Sequence, residues 1–217
     1  MFGSILFRRI GATKCDAMKS MRQKSFAIAE VCTALKNGSR NQAVTVLRRD
    51  YPFAPNPITK RKYGLLDSTR IWVRDGFIDR YTAERLIFPP VLRILSVELP
   101  EEFPFHPNWK TEFTHPAYWE LAATIDHLVP ISRGGHDHES NWATTSMARN
   151  SAKGNWTLDE LGWTLQLPGI FRDWDGLVHW FVEYTDSRPR LLADASIRQW
   201  RRAALAVLGQ DVRRTLT

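Results

Sequence analysis

The chain has 217 residues, 43% of them hydrophobic, with nine Trp and eleven Phe, which is enough to bury a core and argues against a disordered segment. Thirty Lys and Arg against 23 Asp and Glu leave a net charge of +7, which favours a polyanionic partner. Cys15 and Cys32 are too few for a disulfide framework and form no CxxC hook, and no apolar run approaches the roughly 18 residues of a membrane span.

In the first fourteen residues the basic side chains follow a very short apolar stretch, the wrong order for a secretion signal, so a cytoplasmic protein is expected. The spacing of Ile28, Val31, Cys32 and Leu35 predicts a helix over 25–36 with one buried stripe, ended by Gly38. Ser39 and Gln42 read as a capping box that opens a second helix through about Arg49, with Ala43, Val44 and Leu47 inward. Tyr51-Pro52 and Pro55-Asn56-Pro57 break that helix, and the basic run Lys60-Arg61-Lys62 follows. Such a pair serves packing or a dimer surface, or else forms a DNA-reading helix-turn-helix. Residues 1–65 are taken as an N-terminal helical region.

A short helix over 66–74 leads into the Asp75-Gly76 turn, and the following FIDRYTAERLIFPP suits a hairpin or loop. A helix over 91–99 and a helical turn over 117–122 come next. Residues 124–131 read as a strand and Gly134-Gly135 with HDHES as a loop. Residues 142–145 read as a returning strand and 146–153 as a helix. Thr157 and Glu160 form another capping box, for a short helix that Gly162 ends. Trp174, Leu177, Val178, Phe181 and Val182 follow a helical stripe with Asp173 as N-cap. The pattern repeats over 191–208, whose other face carries Arg198, Arg201 and Arg202, set for solvent or phosphate. The expected fold class is α+β and mostly helical overall, with regions 1–65, 66–163 and 164–217.

Only 124–153 gathers polar residues at spacings that suggest shared chemistry. Phosphodiester hydrolysis needs an activated water, a cation to neutralise developing charge and a fixed geometry. Neutral imidazole is the natural base near neutral pH. Oxygen ligands from Asp and Asn suit a hard cation such as Mg²⁺. Adjacent on a strand, Asp126 and His127 point to opposite faces, one toward a metal and the other toward water. Asn150, on the helix that packs back, can complete the ion's protein ligands.

With Pro130, Ser132, Gly134-Gly135, Asp137, Asn141 and Lys153, these residues resemble the HNH nucleases, also called His-Me finger or ββα-metal nucleases. The likeness is to the subgroup with Asp-His and a final Asn, which includes the HNH domain of CRISPR effector nucleases. It implies a ββα-metal core with flanking helical segments. His127 would be the general base, and Asp126 and Asn150 the ligands of a single Mg²⁺ or Mn²⁺. Asn141 would orient the imidazole through the loop backbone, Lys153 would lie near a phosphate or in the metal's outer shell, and Arg149 and Arg133 would contact phosphate or DNA. Many relatives carry two CxxC hooks for a structural zinc. Here Asp79 and Thr82 stand at the first hook, Ser146 and Arg149 at the second, so no structural zinc is expected, and Phe77, Tyr81, Leu86, Phe88 and Trp142 are expected to fill the space.

The resemblance implies a DNA endonuclease, cytoplasmic and without a membrane partner. A restriction, phage-defence or mobile-element role, partner subunits and a homodimer are compatible with it. An inactive DNA-binding module of the same fold, or an RNA- or structure-specific nuclease, are the rival readings.

Overall fold

The computed structural model describes residues 14–53 and 63–215, with side chains over 24–53 and 63–209. The first thirteen residues, the Pro55-Asn56-Pro57 link and the Lys60-Arg61-Lys62 run lie outside the described residues. Two compact units divide the rest, 14–53 with 158–163, and 63–157 with 164–215. Among the described residues, no helix is long and apolar enough to cross a membrane.

In the first unit, α1 (Lys14–Lys36) and α2 (Arg40–Asp50) pack as a helical hairpin. Gly38 makes the turn at φ +73°, in the left-handed region where a Cβ is penalised. Ala27, Val31 and Ala34 meet Ala43 and Val46. The buried stripe therefore lies one position away from the expected one: Ile28 and Leu35 are 42% and 53% exposed, and Cys32 is exposed. Alanines at the contact let the backbones approach, which apolar spacing alone does not rank against larger side chains. Ser39 stands at the N-cap, but its side chain makes no capping bond, so the expected capping box is corrected.

The second unit begins with α3 (Leu65–Arg74), where Asp67 Oδ2 accepts the Gly64 N–H at 3.1 Å. The loop after it is held by isolated pairings, Ile78 with Arg85 and Ile87 with Ala122. α4 (Pro89–Glu98) opens on two prolines, tolerated because the first N–H groups of a helix have no partner within it. The short α5 (Ala117–Glu120) leads into β1 (Ala123–His127), which pairs antiparallel with β2 (Trp142–Ser146), and α6 (Met147–Lys153) follows directly. The register sets Ala123 opposite Ser146 and His127 opposite Trp142. Ser146 caps α6, its Oγ accepting the Arg149 N–H at 3.2 Å. β1 ends four residues earlier than expected. Pro130 has no N–H to donate, and the Asn141 side chain takes both the N–H and the carbonyl of Val129.

After α7 (Leu158–Leu161), which belongs to the first unit, the chain returns as α8 (Val178–Ser187) and α9 (Ala195–Thr215). Trp174 lies outside the expected helix, its Nε1 donating to the Leu86 carbonyl at 2.7 Å. Leu177, at φ +66°, rather than Asp173 stands at the N-cap of α8, and Asp175 just before it accepts from the N–H groups of Leu177 and His179 at 2.8 and 3.1 Å. The single helix expected over 191–208 is a 3₁₀ turn, Pro189–Ala193, then α9, because Asp194 Oδ1 accepts the Ser196 N–H at 2.8 Å and starts a new helix. Of the arginines expected to face solvent or phosphate, Arg201 pairs with Asp186 and Arg198 donates to the Leu192 carbonyl at 2.6 Å.

Trp72, Phe77, Phe88, Phe181, Ile197 and Ala204 share one core, with the Phe88 and Phe181 rings edge-to-face at 5.2 Å. Residues 164–217, expected as a region of their own, are thereby corrected: α8 and α9 complete the core that α3 and α4 begin. The fold is mixed, mostly helical, with one two-stranded antiparallel sheet among the described residues.

Candidate active site

Buried carboxylates fix the sheet before any reactive group is reached. Asp75, fully buried, accepts from Arg74 Nε, Arg80 Nη1 and the Thr144 N–H, each at 2.9 Å. Arg74 also donates to the carbonyls of Trp142 and Glu139 at 2.7 and 2.9 Å. The end of α3 is thus tied to the first half of β2.

Asp79 ties down the second half. Equally buried, it accepts from the N–H groups of Tyr81 and Ser146, both at 2.9 Å, and from Thr145 Oγ1 at 3.1 Å. Asp79 and Ser146 are the residues standing at the two CxxC hooks, so a carboxylate hydrogen-bonded to backbone and hydroxyl joins the two turns. The expected aromatic filling is corrected: Phe77, Leu86 and Phe88 belong to the main core, Tyr81 reaches Asp126, and Trp142 lies beside His127. Asp79→Ala would leave three buried donors without an acceptor. We expect a loss of about 3 kcal/mol or more, read as a lower urea midpoint with an unchanged slope.

Asp126, 7% exposed on β1, receives the Tyr81 hydroxyl on Oδ2 at 2.6 Å and the Lys153 ammonium on the same atom at 2.9 Å. Burial pushes the Tyr81 phenol well above its usual range and the Asp126 charge adds to that, so Tyr81 remains a donor. Lys153 is fully buried and also donates to the His127 carbonyl at 2.7 Å. Burial there corrects the expectation of a phosphate contact: on the strand-facing side of α6, three residues beyond Asn150, Lys153 is an internal counter-ion that clamps His127 and Asp126, the residue expected to hold the ion.

His127, at the end of β1, points the other way. Its Nε2 lies 2.9 Å from Asp137 Oδ1 and 3.1 Å from Trp142 Nε1, and that indole also reaches Asp137 Oδ1 at 3.0 Å. Indole nitrogen only donates. The pattern that satisfies all three atoms has both Nε2–H and Nε1–H donating to the carboxylate, which leaves the Nδ1 lone pair as the basic site. The Tyr63 ring packs edge-on to Trp142 at 5.3 Å and lies 6.1 Å from the imidazole. The sequence carried a trace of Asp137, an acid in the polar loop ten residues beyond the histidine, but no trace of Tyr63, Tyr81 or the donor role of Trp142.

Asn141 closes the intervening loop. Its Oδ1 accepts the Val129 N–H, and its Nδ2 donates to the carbonyls of Val129 and His136, all at 2.9 Å. Gly135 runs so close to the Val129 carbonyl that a Cβ there would collide with it. Asn150 Nδ2 donates to the Ile125 carbonyl at 3.1 Å and lies 3.4 Å from Thr124 Oγ1. Because a carbonyl only accepts, this fixes the amide and turns Asn150 Oδ1 away from the strand. Arg149 and Arg133 lie at the surface, Arg133 over the Trp156 ring at 5.5 Å. The remaining histidines do not join the centre: His115 stacks on Phe103 at 4.0 Å, and His179 pairs with Asp175 at 2.7 Å.

Asp126 and Asn150 thus sit on neighbouring elements, each with a side-chain oxygen outside the hydrogen bonds described. One carboxylate and one amide oxygen fit a Mg²⁺-type ion, which keeps several waters and takes further oxygens from phosphate. Compared with protein-family models, curated proteins and solved structures, the chain matches none.

Proposed function

We propose that the chain is a metal-dependent HNH endonuclease that hydrolyses phosphodiester bonds of DNA, built on a ββα-metal core. The observation that carries this reading is the arrangement at the end of β1: an imidazole held through Nε2 by Asp137 on one face, and on the other Asp126 and Asn150, each with a side-chain oxygen outside the hydrogen bonds described. In this mechanism His127 Nδ1 takes the proton of a water whose oxygen attacks phosphorus as the bond to the leaving oxygen breaks. Asp137 holds the imidazole in the tautomer that leaves Nδ1 basic. Asn141 fixes the loop carrying that carboxylate. Asp126 and Asn150 would hold one Mg²⁺ or Mn²⁺, which supplies charge stabilisation at the phosphate and the leaving oxygen. Arg133, Arg149 and the net charge of +7 favour a polyanion. A cytoplasmic restriction or phage-defence role, as a homodimer or with partner subunits, accords with the same reading.

One observation favours a second reading, a DNA-binding module without catalysis: Lys153 already neutralises Asp126, and its charge opposes a cation there. Incubation with supercoiled plasmid and with structured RNA separates the readings. We expect plasmid cleavage in Mg²⁺ or Mn²⁺ that EDTA abolishes and excess metal restores. Binding without cleavage in either metal would establish the inert module, and cleavage confined to RNA would replace the DNA assignment.

A further inference from the structure

An open cleft of about 1040 Å³ adjoins the candidate centre within the second unit, and Thr124 and Asn150 are part of its wall. It is at the upper end of the roughly 300–1,000 Å³ of small-molecule sites. Its lining is aromatic: Tyr63 at the end nearest His127, then Trp72, Phe105, Trp109, Tyr118 and Trp200. Among the described residues its charged wall residues are Arg93 and Asp194, which pair with each other at 3.3 Å. The described wall therefore carries no net charge, beside a centre suited to a phosphodiester.

One detail at the rim points to a ligand. Trp109, 40% exposed at the rim, is held at φ +53° by its N–H bond to the His106 carbonyl, in a region unfavourable for a residue with a Cβ. Edge-on contacts with Phe105, Tyr118 and Trp119 fix its ring.

We propose that this cleft receives unpaired bases of the DNA strand whose phosphodiester lies at His127, so that the substrate is single-stranded or locally unpaired DNA. A planar, neutral heteroaromatic ring matches a wall of aromatic side chains whose described charges are paired with each other. The shared residues Thr124 and Asn150 make cleft and centre continuous, as a base and its own phosphate require. This inference rests on the nuclease reading for the direction of the strand.

The test is fluorescence anisotropy in EDTA, which measures binding without cleavage, using labelled oligothymidylate, the same length as abasic backbone, and a duplex. Thymidylate should bind about tenfold more tightly than the abasic chain, the scale of one base stacked on an aromatic ring. Trp109→Ala should erase that difference without altering abasic binding, and Trp109→Phe should restore much of it; a thermal melt checks that both variants fold. Equal binding of base-bearing and abasic strands, a preference for duplex, or tighter binding of oligouridylate than of thymidylate would overturn the proposal. Metal-dependent cleavage of duplex plasmid with no base-dependent binding would sink the cleft and leave the nuclease standing. Base-dependent binding with no cleavage in any metal would do the reverse.

Discussion

Replacing His127 with alanine should reduce plasmid cleavage by at least 10²–10⁴-fold, the contribution of a positioned general base, while DNA affinity in EDTA stays near wild type. The imidazole makes few contacts that folding depends on. Its Nε2 shares Asp137 Oδ1 with Trp142 Nε1, so in the alanine variant the indole still satisfies the carboxylate. A circular-dichroism melt close to wild type would therefore accompany the lost activity. Asp137→Asn is the companion test, since Asp137 holds the imidazole through Nε2. An amide can still accept from Nε2–H, but without the carboxylate charge, and we expect a fall of about 10–100-fold in kcat with little change in KM. If His127→Ala cleaved at the wild-type rate, the base would lie elsewhere. If Asp137→Asn raised KM alone, the loop would serve DNA contact rather than the imidazole.

The residues of the candidate centre could be singled out in the sequence because they are local. Asp126, His127, Asn141 and Asn150 fall within 25 residues, and one strand pairing with one following helix is enough to gather them. The contacts that hold the centre were not legible, because they come from far along the chain. Tyr81 reaches Asp126 across 45 positions, and Asp75 reaches Thr144 across 69. Hydrophobic period carries no mark of such polar pairings. Similar blindness explains the helices that started in the wrong place. The Trp174–Val182 spacing is helical, but α8 starts only after Leu177, and Trp174 before it bonds the Leu86 carbonyl. In α1 the alanines were passed over for larger neighbours, although the smallest side chains set the approach of two helices. The phosphate contact expected of Lys153 fails for a different reason: a cation beside a phosphate centre and a cation buried against a carboxylate look alike in sequence.

Substituting Lys153 with methionine should destabilise the second unit by about 3–5 kcal/mol, the cost of leaving one member of a buried ion pair unpaired. Lys153 is fully buried and Asp126 7% exposed, so solvent screens the pair little. The lost ammonium also supports the His127 carbonyl. At roughly 2–4 °C per kcal/mol for a chain of this size, the melting midpoint should fall by about 10 °C. Asp126→Asn combined with Lys153→Met should recover much of that loss, because removing both charges leaves none buried alone. A phosphate contact predicts the opposite pattern: an unshifted midpoint, weaker DNA binding and a shallower salt dependence. The double variant also separates folding from chemistry. With most of its stability regained, it would still lack the Asp126 carboxylate proposed as one of the two oxygens for a cation, so it should melt near wild type and cleave poorly.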